Sequence, residues 1–90
     1  MSVSDCASKR ITATGDVAVG IVRMRSITGL VDNVGAGRLT ITDGNGGATL
    51  VDVDLAANAG FEVFIPDNGI RGDPWVSAAT NVTSATIFYS

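Results

Sequence analysis

The sequence predicts an all-β domain, a small antiparallel β-sandwich or barrel of jelly-roll-like type with seven or eight short strands. Three observations carry this. Short runs of alternating apolar and polar residues recur along the chain, the period of two that sets one face of a strand in a core. Clusters of Gly, Asn, Asp and Pro punctuate those runs about every eight to twelve residues, the spacing of small β-proteins. Helix formers never accumulate: the one place for a helical turn is Ala56-Ala57-Asn58-Ala59-Gly60, too short to support a helix by itself.

In chain order, residues 1–9 are small and polar and read as an arm that orders only by docking, which leaves residues 10–90 as a single domain. Cys6 in that arm has no neighbouring base or helix N-terminus and reads as an incidental thiol. Residues 10–14, RITAT, form a short strand candidate, and Gly15-Asp16 a turn. In residues 17–26, VAVGIVRMRS, Val22 and Met24 alternate with Arg23 and Arg25, whereas Val17, Val19 and Ile21 hold the opposite parity. A bend or bulge at Gly20 reconciles the two. Residues 27–34, ITGLVDNV, suggest a further strand broken at Gly29, with Gly35-Ala36-Gly37 as a flexible join.

Residues 38–55, RLTITDGNGGATLVDVDL, are the strongest element, a β-hairpin. Leu39 and Ile41 alternate with Arg38, Thr40 and Thr42, while Thr49, Val51, Val53 and Leu55 alternate with Leu50, Asp52 and Asp54. Between the arms, Asp43-Gly44-Asn45-Gly46-Gly47 supplies residues that accept positive φ readily. Residues 61–66, FEVFIP, place Phe61, Val63 and Ile65 on one face and Glu62 and Phe64 on the other, so Phe64 points away from the core. Pro66-Asp67-Asn68-Gly69 is a tight-turn sequence, and a second turn signal spans residues 70–74 before a strand at Trp75. The last run, residues 82–89, has aromatic or aliphatic side chains on both faces, the pattern of a strand buried on both sides at a sheet centre or an intersubunit contact.

Composition bounds the function. Ninety residues bury only about 60–65% of the unfolded surface, and one cysteine and no histidine deny the chain an internal disulfide and most zinc ligand sets. Oligomerisation is the remaining supplement. Charged residues make up 17% of the chain against 46% apolar, below the surface charge of about 25–35% usual for a soluble monomer. Two explanations stand open: a covered surface, or an outer face of Thr, Ser, Asn and Gly that is simply wet. A net charge of −3 opposes nucleic-acid binding, and no run is long and apolar enough for a membrane span or signal peptide. Synthesis in a cytoplasm is expected.

Each candidate site has a plainer reading beside it. Arg71-Gly72-Asp73 matches a tripeptide displayed by some integrin ligands, but turn chemistry explains it. Asn81-Val82-Thr83 is a glycosylation sequon that matters only in a secreted chain. The Asp43 to Gly47 turn lacks the carboxylates of a calcium loop. Asp52 and Asp54 neighbour each other on one strand face and do not oppose each other across a substrate, so they read as a charged face guarding a sheet edge. With no histidine and one lysine, no nucleophile and base assemble; no catalytic residue, cofactor or metal is expected, and the reading is not an enzyme.

Three segments carry a resemblance. Gly37-Arg38-Leu39-Thr40-Ile41-Thr42-Asp43-Gly44, then Phe61-Glu62-Val63-Phe64-Ile65-Pro66-Asp67-Asn68-Gly69-Ile70, then Thr80-Asn81-Val82-Thr83 with a closing Ile87-Phe88-Tyr89, resemble in order and cadence the small β-rich virion structural proteins of tailed, particularly marine, bacteriophages. The resemblance spans about the last 55 residues. It implies a virion location on the capsid surface, as a capsid decoration (cement) protein. Such a protein sits as a homo-oligomer, for instance a trimer, over joins of the major capsid protein or another virion protein. Interface roles are then expected for Leu50, Phe64, Trp75, Phe88 and Tyr89, and residues 1–9 are expected to reach the lattice. The rival is a receptor- or glycan-binding module, a fibre-tip or lectin-like domain, in which Trp75 near Asp73, or Asp67-Asn68, would hold a sugar.

Overall fold

The computed structural model describes residues 7–65 and 69–90. Among them the strands are β1 (Ala7–Ile11), β2 (Gly15–Asp16), β3 (Val22–Val31), β4 (Gly37–Asp43), β5 (Thr49–Leu55), β6 (Gly60–Phe64), β7 (Ile70–Gly72), β8 (Pro74–Thr80) and β9 (Val82–Tyr89), with no helix. All pairings are antiparallel. One sheet has the order β1-β9-β3-β6, with β7 continuing the β6 edge against the start of β3; the other has the order β2-β8-β4-β5.

The connectivity is that of a ribbon rolled on itself. Its tip is the β4–β5 hairpin, and behind the tip β3 pairs with β6 and β7, β2 with β8, and β1 with β9. Rolling the ribbon brings β9 beside β3 and β8 beside β4, which closes the two sheets of a jelly roll. Met24, Ile27, Leu39, Ile41, Val76 and Ile87 are wholly buried between the sheets. They come from both, so neither sheet can hide its apolar face without the other.

The hairpin forms where expected, and Gly44 and Gly46 take positive φ in its turn. Other boundaries move. β1 begins at Ala7, inside the expected arm, because backbone pairing of residues 7–11 to β9 holds it. Its residues 7–10 are exposed, so no apolar alternation announces it. Residues 1–6, Cys6 included, lie outside the described residues, as do Pro66, Asp67 and Asn68 of the expected tight turn. Gly15-Asp16, expected as a turn, forms the short β2 against Val76 and Trp75. Residues 70–72, also expected as turn, are β7. At residues 57–58 the chain makes a turn with Asn58 at φ 54°, and no helical turn forms.

The expected slip at Gly20 is displaced, and the expected break at Gly29 does not occur. Gly20 bends at φ 76°, but it lies ahead of the strand. The slip falls between Met24 and Ser26, leaving Arg25 as the bulged residue. β3 then runs unbroken through Gly29. The Phe61 ring and the Ser84 carbonyl occupy the space a Cβ would need there, so this glycine serves packing and does not end the strand. β9 is central in its sheet, as its pattern suggests, yet only Ala85 and Ile87 are buried along it; the face bearing Phe88 is half open.

Candidate functional site

The bulge at Arg25 decides what the first sheet shows to the outside. Before it, Met24 faces the core; after it, Ile27 and Val31 do, on the opposite parity. Ser26, Thr28 and Leu30 are thereby turned outward, and pairing aligns their neighbours. Ser26 lies between Phe88 and Phe64, Thr28 between Thr86 and Glu62, and Leu30 between Ser84 and Gly60. On the β1 edge Ser8 pairs with Phe88 and Arg10 with Thr86. The result is a face of hydroxyls and apolar groups on which Phe64 is 76% and Leu30 54% exposed. At the far end of β3, Arg23 lies opposite Arg71, and Arg25 donates from Nε to Ser90 Oγ at 2.9 Å.

The five expected interface residues do not form one surface. Phe64 and Phe88 flank Ser26 on the outer face of the first sheet. Trp75 lies on the other sheet, half-buried, paired with Asp16 and Thr42. Leu50 and Tyr89 pack against the core: Leu50 beside Gly72, Tyr89 opposite the buried Met24. A bulge between Ile41 and Thr42 leaves Leu50 without a partner in β4 and frees it to tuck inward. Tyr89 shares its parity with Ala85 and Ile87, which face the core.

Sequence reasoning missed Leu30. Continuing the parity of Val22 and Met24 would bury it, and only the bulge turns it out. Ile21 and Val34, 66% and 79% exposed, lie outside the strands, where periodicity gives no signal.

On the outer face of the second sheet, Arg38 donates to both carboxylate oxygens of Asp52, Nε to Oδ1 at 2.8 Å and Nη2 to Oδ2 at 2.7 Å, and Thr40 Oγ1 donates to Oδ1 at 3.1 Å. Hydrogen bonding from Arg38, reinforced by Thr40 against some desolvation, holds the Asp52 carboxyl below its ordinary value. The same hydrogen bond raises the Arg38 guanidinium. β5 is the sheet edge, and this fork binds it to β4 across the outer face.

Arg71-Gly72-Asp73 is not displayed on a loop tip. Arg71 and Gly72 belong to β7, while the Asp73 amide donates to Asp43 Oδ1 at 2.9 Å and its carbonyl accepts the Gly44 amide at 2.8 Å. Asn81, the sequon residue, turns the chain between β8 and β9 at φ 57° and donates from Nδ2 to the Ala36 carbonyl at 3.0 Å. Among the described residues no three of His, Cys, Asp and Glu gather as metal ligands. A shallow hollow lined by Asp32, Asn33, Asn58 and Thr83 opens at one end of the sandwich, its wall tied by Asn58 N–H to the Asp32 carbonyl at 2.8 Å. No family model, no curated protein and no solved structure matches this chain.

Proposed function

We propose that the chain is a non-enzymatic virion structural protein, a capsid decoration protein that self-associates and braces joins between shell subunits. One observation carries the reading: the outer face of the first sheet, where Phe64 and Leu30 stand exposed among hydroxyl side chains. A face of that composition suits burial against protein. A jelly roll fits the role as well, since it recurs in viral capsid domains, although lectins use it too and the fold by itself chooses neither. Contacts to several shell subunits at once would multiply modest affinities, so a small domain without disulfides could resist expansion of the shell by packaged DNA.

The glycan-binding reading draws on Trp75, which is half-buried beside Asp16 and Thr42. The aromatic that stands freest is Phe64, on the other sheet, so the structural role is the better supported.

The test is to purify particles by density gradient from cultures that express the chain and quantify it by mass spectrometry. The expected result is a fixed stoichiometry to the shell protein, with Phe64→Ser lowering occupancy. Complete absence from purified particles overturns the proposal, and a glycan array positive for the wild type but silent for Trp75→Ala would favour the alternative.

A further inference from the structure

The outer face of the first sheet carries a pattern that fits a second copy of itself. Pairing gives two complete rows across its four strands: Ser8, Phe88, Ser26, Phe64, and beside it Arg10, Thr86, Thr28, Glu62. Small and large side chains alternate along the first. The second has a cation at one edge, an anion at the other and hydroxyls between. We propose that this face forms an isologous dimer whose two-fold axis runs along the strands, over the seam between β9 and β3.

The pattern selects that axis. A two-fold that brings two faces together must lie in the plane between them. Along the strands, it keeps each row opposite the same row and reverses its order, so β1 meets the second copy's β6 and β9 meets its β3. Arg10 then faces the partner's Glu62. Phe88 comes opposite the partner's Ser26 and Phe64 opposite the partner's Ser8, each aromatic against a small side chain.

An axis across the strands would keep every strand opposite itself. Run through the charged row, it sets Arg10 against Arg10 and Glu62 against Glu62; run between the rows, it sets Phe64 against Glu62; run through the aromatic row, it sets Phe64 against Phe64 and Phe88 against Phe88. The first two carry a repulsive or desolvated charge, and the third loses both the small-against-large fit and the Arg10–Glu62 pair that the axis along the strands provides. Size is sufficient. The molecule measures 38 × 31 × 20 Å, the short extent being the stack of two sheets, so its broad face has room for the about 800 Å2 per partner of a standard interface.

This inference rests on the outer face being an interface, as in the proposed function, but not on the partner lattice being a capsid. The test is sedimentation velocity of the full chain over a dilution series at low and high salt, for the wild type, Glu62→Arg, Arg10→Glu, the double swap Arg10→Glu/Glu62→Arg, and Phe64→Ser. The wild type should dimerise and weaken with salt. Each single reversal should raise Kd about tenfold or more, and the double swap should return it toward the wild-type value. Phe64→Ser should be monomeric with an unchanged circular dichroism spectrum. A wild type monomeric at every concentration, a closed trimer, or a double swap no tighter than the single reversals overturns the inference. A monomer that still copurifies with particles would remove the two-fold and leave the virion role standing; a dimer absent from particles would do the reverse.

Discussion

Single residues divide here into those that hold the sandwich and those that face outward, and their substitutions should separate in kind. Ile41 is wholly buried between the sheets, and Ile41→Ala should cost about 2–5 kcal/mol of unfolding free energy, read as a lower urea midpoint at constant slope. Gly29→Ala adds one methyl where the Phe61 ring approaches to 2.8 Å and the Ser84 carbonyl closes the other side, so about 1–3 kcal/mol should be lost by overpacking. Phe64→Ser, at a position three-quarters exposed, should leave the midpoint within about 0.5 kcal/mol of the wild type under conditions where the chain is monomeric. Alternation in residues 61–65 made Phe64 legible as an outward aromatic, because a strand without a bulge keeps its period. Leu50 and Tyr89 were legible only as apolar; their side depended on a bulge in one case and on the core parity of β9 in the other.

At the scale of elements, the edges matter most. β1 pairs with β9 through Ala7, Ser8 and Lys9 opposite Tyr89, Phe88 and Ile87. Deleting residues 1–9, which the arm reading treats as harmless to the fold, should therefore bare part of β9 and lower the thermal midpoint. Calorimetry of that truncation beside the intact chain separates an arm from a strand. On the other sheet the Arg38–Asp52 fork ties edge strand β5 to β4. Folding depresses the Asp52 pKa, so its stabilisation is present above the ordinary value near 3.8 and is lost as pH falls through the lower folded value. The side chains are 56% and 38% exposed, so the effect is small. Asp52→Asn should flatten that part of the acid limb of a urea-midpoint profile between about pH 5 and pH 2, and an unchanged profile would show the fork contributes nothing.

For the whole molecule, a thin two-layer sandwich leaves much of its chain at a surface, and the proposed self-association would cover part of it. If so, the thermal midpoint should rise with protein concentration, since the folded pair is favoured by mass action, and the rise should vanish in Phe64→Ser. A midpoint independent of concentration in the wild type would mean that the hydroxyl-rich face is simply hydrated.

The all-β class, the central hairpin and the outward turn of Phe64 were determined by the sequence alone, because turn chemistry and a period of two are local properties that a few adjacent residues specify. The rolled ribbon was decided by tertiary structure. Strands from opposite ends of the chain, β1 and β9, meet only because burying both apolar faces brings them together, and nothing in residues 7–11 marks that partner in advance. The same holds for the candidate surface: one bulged residue at Arg25 inverts the parity of β3, so the row that sets Ser26 between two phenylalanines exists only once the strands have paired.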